Sequence, residues 1–342
     1  MIASASQRAV RGIMRRCNPA EKLNILTFAT HERYEENLCK TGHNFYSLAI
    51  GKTWDTDYAQ IPENYHIIES VPDYIDFDLI LTHTSCDRLH HAHKLITGVE
   101  INQGNKSGTP ILRHTHVLPD VRFDVPSQVA AFQQYPSDRN SFISTYNMQQ
   151  WGMSEQASAN VVEHGVDTDF WKPDNNIEKD NACLSVVNDW PNRDWCCGFN
   201  LWQQTIQGLP AKVYGKSPGF SEPANSTEEL RKIYQSSTIF YNTSLHSPVP
   251  TVLLEAMACG CAIVSTNNCM IPEILQNGVN GLISNDPSQL RSNLELLLNN
   301  PEVAQKLGEN ARKTIEDKFN LKRFVDSWNN LLYSTVNEYR NK

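Results

Sequence analysis

The chain has 342 residues, enough for two ordinary domains of roughly 100–200 residues each. Hydrophobic residues make up 40% and charged residues 20%, which excludes wholesale disorder, and a net charge of −8 argues against a general nucleic-acid coat. No apolar run approaches the roughly 20 residues a membrane span needs, and a peripheral membrane contact stays open.

Residues 1–22 hold Arg8, Arg11, Arg15 and Arg16 ahead of the first acidic residue, Glu21, and read as a disordered extension with a slight transit-peptide character. Short β-rich apolar runs then alternate with helical stretches, the pattern of a parallel sheet covered by helices on both faces. Strands are predicted at 24–29, 45–50, 66–71, 78–83, 110–115 and 141–145, and after a break at 182–187, 211–215, 237–242, 262–266 and 281–284. Helices are predicted at 227–235, 252–258, 287–298 and 301–318, the first with Ser226 as N-cap and Glu228 and Glu229 in its opening turn. The break at 161–180 runs into a Pro/Asn/Asp-rich stretch and reads as a linker between domains at 23–160 and 181–320. Residues 321–342, with Phe324, Trp328 and Leu332, read as a last helix returning to the N-terminal domain. The expected fold is α/β, two doubly wound Rossmann-like domains facing a cleft, with ligand at the carboxyl ends of the strands.

Nine cysteines form no C-x-x-C pair; Cys196 and Cys197 are adjacent, and Cys259 and Cys261 flank Gly260. Zinc knuckles and a disulfide framework both fit poorly, so the thiols are expected to be reduced and the protein cytoplasmic. The sequence lacks G-x-x-x-x-G-K-[ST], G-x-G-x-x-G and G-x-S-x-G, which removes the main support for a P-loop ATPase, a dinucleotide dehydrogenase or a nucleophile-elbow hydrolase. Asp55/Asp57 and Asp167/Asp169 are D-x-D triplets, too short and common to establish a metal site, and His90, His91 and His93 read as a solvated helix face. His114 and His116 alternate along a strand and point to one face, again without an obvious third ligand.

The specific stretch is Ser244-Leu-His-Ser-Pro-Val-Pro-Thr-Val-Leu-Leu-Glu-Ala-Met-Ala-Cys-Gly-Cys-Ala-Ile-Val-Ser265. A strand, a Pro-containing turn, a helix starting near Thr251 and a second strand follow in order. The helix start offers free N–H groups and a positive dipole end, which suits a diphosphate, and Glu255 lies one turn further on, within reach of a ribose diol. This stretch resembles the nucleotide-sugar signature of glycosyltransferase family 4, the GT-B glycosyl transferases of group 1. The second Glu of that family's E-x7-E pair falls on Glu255, implying ribose contact, whereas the first falls on Ser247, a departure at the position that lies against the transferred sugar.

Further motifs resemble the same family. Asn160–Pro173 looks like its N-G-V-D-x-x-x-F-x-P linker, and in Ser185–Arg193 an arginine, Arg193, stands for the phosphate-binding lysine while Asn188 stands for its arginine. Lys212–Gly219, with Lys216, looks like the I-x-G-x-G-P turn, and Leu38–His43 like L-x-x-x-G-H. His116 follows Pro110 as in P-V-V-x-T-x-H, with His114 as its rival, and Thr30-His-Glu-Arg-Tyr34 replaces the usual Gly-Gly loop.

The resemblance implies a metal-independent glycosyltransferase that moves a sugar from a nucleoside diphosphate sugar (UDP- or GDP-linked) to an acceptor hydroxyl with retention, with no resident cofactor. The N-terminal domain would take the acceptor (saccharide, lipid, protein or modified base) and the C-terminal domain the donor. Arg193, Lys216, Asn188, the turn residue Pro250 and the helix-start residues Thr251 and Val252 would surround the diphosphate, Glu255 the ribose, and His116 and Ser247 the chemistry. The alternatives are a silent sugar-nucleotide-binding protein and a same-fold epimerase.

Overall fold

The computed structural model describes residues 21–50, 52–72, 74–83, 109–134 and 137–340. In the first half the apolar runs form a seven-stranded parallel sheet in the order β3-β2-β1-β4-β5-β6-β7. Its strands are β1 (Asn24–Thr27), β2 (Asn44–Leu48), β3 (Tyr65–Ile68), β4 (Leu79–His83), β5 (Ile111–Thr115), β6 (Arg139–Phe142) and β7 (Ala159–Val161). The described helices of this half are α1 (Glu32–Cys39), α2 (Val125–Gln134) and α3 (Thr145–Gln150). Every residue of β4 and β5 is buried, as central parallel strands covered on both faces must be. Leu26, Phe28, Leu48, Ile80 and Ile111 form one core cluster of this half.

The second half builds a five-stranded parallel sheet, β12-β11-β10-β8-β9, from β8 (Asp180–Val186), β9 (Ala211–Tyr214), β10 (Ser237–Asn242), β11 (Ala262–Ser265) and β12 (Leu282–Ile283). A 3-10 turn, Pro191–Arg193, precedes α4 (Asp194–Cys197) and α5 (Phe199–Ile206). There follow α6 (Thr227–Gln235), α7 (Thr251–Ala258), α8 (Ile271–Ile274), α9 (Pro287–Asn299), α10 (Pro301–Lys318) and α11 (Leu321–Arg340). Helix α6 occupies the predicted residues, and the Ser226 hydroxyl caps it by accepting the Glu229 N–H. Trp190 and Trp202 pack with Ile239, Val264, Leu290 and Leu294 in the core of this sheet and its helices.

The chain divides into two compact units, the second comprising Glu163–Phe324 with the short piece Ser144–Asn147. Two local readings change. The strand predicted at 141–145 ends at Phe142, because the Ser144 hydroxyl accepts the Asn147 N–H and starts α3. The stretch 163–180, read as a linker, packs on the second unit: Val166 bridges Asn320, Trp171 stacks edge-on to Tyr234, and Arg312 donates to the Thr168 carbonyl. From Val325 onward α11 belongs to the first unit. There the fully buried Trp328 donates its indole N–H to Tyr34 Oη at 3.0 Å, and Arg340 pairs with Asp78 at 2.7 Å. Among the described residues no helix is long and apolar enough to cross a membrane.

Each sheet reverses its strand order once, between β1 and β4 in the first unit and between β8 and β10 in the second. At such a switch point neighbouring loops diverge to opposite faces and leave a crevice at the carboxyl ends, where ligands of open α/β sheets bind.

Candidate functional site

At the second unit's switch point the chain leaving β8 turns sharply: Asp189 adopts a left-handed φ of 51° and Trp190 is fully buried. The turn is braced to the end of β9. Asn188 Oδ1 accepts the Lys216 N–H at 2.8 Å, the Asp189 N–H donates to the Lys216 carbonyl at 2.8 Å, and the Trp190 N–H donates to Ser217 Oγ at 3.0 Å. Arg193 then donates through Nη1 to the Asn188 carbonyl at 3.3 Å. The structure thus brings Asn188, Arg193 and Lys216 together, with both cationic side chains exposed. Asn188 shapes the turn through its side chain, a role for which a short amide suffices.

The loop after β10 is tied to the same region. The N–H groups of Leu245 and His246 both donate to the Cys196 carbonyl, and Thr243 Oγ1 donates to the Cys197 carbonyl at 2.9 Å. Gly198 makes the approach feasible: its φ is 65°, and a Cβ there would lie 2.2 Å from the Thr243 carbonyl oxygen. The hydrogen bond shared with its neighbour Cys196, followed by burial, pushes the Cys197 thiol up. The loop delivers the chain to α7, whose N-cap is Pro250, a residue without a capping side chain. The opening N–H groups at Thr251 and Val252 therefore form a helix terminus suited to an anion.

Helix α7 is apolar almost all round, and Leu253 through Ala258 are buried. That burial bears directly on Glu255, which is only 6% exposed and accepts from Tyr234 Oη at 3.3 Å. A carboxylate that merely charges a helix surface would be solvated. A buried one costs several kcal/mol unless it is partnered, so Glu255, held by Tyr234, differs from a solvated surface carboxylate. Ser247 is half-buried in the loop ahead of α7, and its N–H faces the Cys269 sulfur.

In the first unit His114 and His116 have different fates. His114 is fully buried on β5, bonded to Tyr34 Oη at 2.8 Å and Ser141 Oγ at 3.0 Å, so it belongs to the core. His116 lies just past the end of β5, half-buried, with its Nε2 2.9 Å from His83 Nδ1. His83, the last residue of β4, and Glu35 on α1 were not singled out from the sequence; only the register that sets His83 beside His114 reveals them. The Asp55 and Asp167 carboxylates each accept the N–H two residues on and so serve local turns. His90, His91 and His93 lie outside the described residues.

Comparison with known proteins gives a family match over part of the chain and a fold. Residues 220–314 match the family glycosyl transferases group 1, and that segment contains Ser247, Pro250, Thr251, Val252 and Glu255. An uncharacterized glycosyltransferase of Haemophilus influenzae is 29% identical over 110 residues, 31% of either chain. Alpha-maltose-1-phosphate synthase of Mycolicibacterium smegmatis is 30% identical over 122 residues, 33% of this chain and 30% of the relative. These matches span about three-tenths of each curated relative. The solved structure of Anabaena HepE in complex with UDP-glucose superimposes with a TM-score of 0.70 over 91% of this chain and 100% of that one, at 12% identity. The two α/β units are therefore those of the GT-B fold, and the resemblance to group 1 glycosyl transferases holds in the second unit.

Proposed function

We propose that this chain, which resembles the group 1 glycosyl transferases through its second unit, moves a sugar from a nucleoside diphosphate sugar to an acceptor hydroxyl. The observation that carries the reading is the buried Glu255 on a helix whose uncapped start follows β10, beside the paired turns that present Arg193 and Lys216. In this reading the two cations and the α7 N–H groups stabilise the leaving diphosphate, so that developing charge meets fixed donors and no metal is required. The donor is a UDP- or GDP-sugar, UDP being favoured because HepE was solved with UDP-glucose. Configuration is retained, in keeping with the family resemblance, and the first unit, which carries His116, takes the acceptor. A nucleotide-sugar donor and reduced thiols suit the cytoplasm.

The experiment is a thermal-shift screen of UDP, GDP and their sugars, followed by hydrolysis of UDP-glucose with and without EDTA. A ligand at 100 times its Kd adds about 2.7 kcal/mol of stability. Turnover that survives chelation is the expected result; turnover abolished by EDTA and restored by Mn²⁺ would overturn the metal-independent mechanism.

One observation favours a second reading. Ser247 is neutral and short, so it cannot accept from two sugar hydroxyls with a charged group as the family's glutamate would. A sugar-nucleotide-binding protein with little or no turnover would bind UDP-glucose in the same screen and leave it intact.

Arg193→Ala separates diphosphate from nucleoside recognition. A charged hydrogen bond contributes about 1.5–3 kcal/mol, so calorimetry should find UDP bound at least about tenfold more weakly and uridine bound unchanged. Equal losses for both would place Arg193 away from the phosphates.

A further inference from the structure

The first unit's switch point holds a line of polar side chains that the donor site does not use. Glu35 is 1% exposed; its Oε1 accepts the Thr30 N–H at 3.0 Å and its Oε2 accepts from Tyr65 Oη at 2.8 Å. His83 Nε2 lies 3.6 Å from Glu35 Oε1 and has no hydrogen-bond partner, although the ring is buried. On its other side His83 Nδ1 is 2.9 Å from Nε2 of the half-buried His116. A buried orphan nitrogen is costly, and here it faces one carboxyl oxygen. At 3.6 Å the contact is longer than a hydrogen bond, and such contacts often tighten when ligand binds.

We propose that Glu35 and His83 are positioning residues that set the tautomer of His116, so that a buried carboxyl decides which His116 nitrogen carries hydrogen toward the reacting groups. This rests on the glycosyl-transfer reading. With Glu35 protonated, its O–H donates to His83 Nε2. His83 Nδ1–H then donates to His116 Nε2, and the His116 hydrogen resides on Nδ1. When Glu35 loses its proton every bond in the line reverses: His83 Nε2–H donates to the carboxylate, His83 Nδ1 accepts, and His116 carries its hydrogen on Nε2. The proton released goes to solvent, and each imidazole keeps its own proton count, only moving its hydrogen from one nitrogen to the other.

The electrostatics fit this sequence. Burial pushes the Glu35 carboxyl up to about 8, opposed by the hydrogen bonds from Tyr65 and Thr30, while Glu32 raises it further and Lys52 lowers it. Burial alone pushes His83 down to about 3. The titratable groups facing Glu35 are Glu32 and Cys39 on α1, Lys52 beyond β2, Tyr65 on β3 and His83 on β4. Among the described residues, Tyr34, His83 and His114 face His116. Lys52 is already paired with Glu32 at 2.8 Å. Glu35, pushed up to about 8, stands in line with His83 and, through it, His116.

The test is nitrogen NMR of the full chain with labelled histidine, with His116→Ala used to assign the His116 signals. The wild-type His116 ring is expected to switch from the Nδ1–H to the Nε2–H signature with a midpoint near 8, and Glu35→Gln, which cannot ionise, to show no switch. In parallel, kcat for UDP-glucose hydrolysis should fall about tenfold from pH 7 to 9 in the wild type, with KM nearly constant, and should stay level in Glu35→Gln. A His116 tautomer that is constant from pH 6 to 9.5 in the wild type, a measurement needing no Glu35 variant, overturns the proposal, as does the same switch in Glu35→Gln. Absence of UDP binding and hydrolysis alongside an intact tautomer switch would instead overturn the enzymatic reading and leave the relay standing.

Discussion

Glu255→Ala is expected to weaken binding of UDP and of uridine alike, by about 1.5–3 kcal/mol, the range for a charged hydrogen bond lost from a desolvated site. That corresponds to roughly 10- to 150-fold in Kd. The two ligands should suffer together because the proposed contact is to the ribose diol that both contain, in contrast to Arg193→Ala, which should spare the nucleoside. The structure sharpens the expectation. Glu255 accepts from Tyr234 Oη at 3.3 Å, a contact that helps to orient the carboxylate. Tyr234→Phe should therefore give a smaller loss in the same direction, by freeing the carboxylate to move. Calorimetry on folded variants decides the matter: Glu255→Ala binding UDP as tightly as the wild type would remove Glu255 from the site.

What the sequence disclosed follows from where local chemistry controls the outcome. Strands β10 and β11 and helices α6 and α10 were legible almost to the residue, because buried parallel strands read as apolar runs and Ser226 and Pro301 punctuate the helix starts. Glu255 was singled out because it lies one turn past Thr251 and falls on the second Glu of the family's E-x7-E pair, and the structure places it, buried, on α7. The strand proposed at 141–145 overran its end, since the capping role of Ser144 depends on a turn that composition alone does not mark. The stretch 163–180 looked like a free connection because its Pro, Asn and Asp residues also suit turns packed against a domain, as Trp171 against Tyr234 shows. Glu35 and His83 stayed hidden for a different reason. They are 48 positions apart in the sequence, and only the β2-β1-β4-β5 strand order brings α1 and the ends of β4 and β5 to one crevice. Fold class is written in periodicity, whereas a relay across a switch point is written in topology.

Gly215→Ala is expected to be a severely damaging single-methyl change in the second unit, costing about 2–4 kcal/mol of stability, in the range of substitutions that force a backbone collision. Gly215 ends β9 with a φ of 122°, and a Cβ there would sit 2.2 Å from the Val187 carbonyl oxygen and 2.5 Å from its carbon. Neither atom can yield cheaply, because both belong to the backbone at the end of β8. The turn must move away instead, and it carries with it the Lys216 N–H that Asn188 holds and the Ser217 hydroxyl that receives the Trp190 N–H. UDP affinity should then fall at least about tenfold, since the turns after β8 and β9 that we propose hold the phosphates share those bonds. Gly219 supplies the control within the same loop: its φ is 78° but a Cβ there meets nothing within 4 Å. Gly219→Ala should cost only the left-handed conformational penalty, about 1–2 kcal/mol, and leave UDP affinity unchanged. Urea unfolding and UDP titration of the two variants separate collision from conformation. Equal losses of stability and affinity would mean that the close approach of β9's end to Val187 does not brace the site.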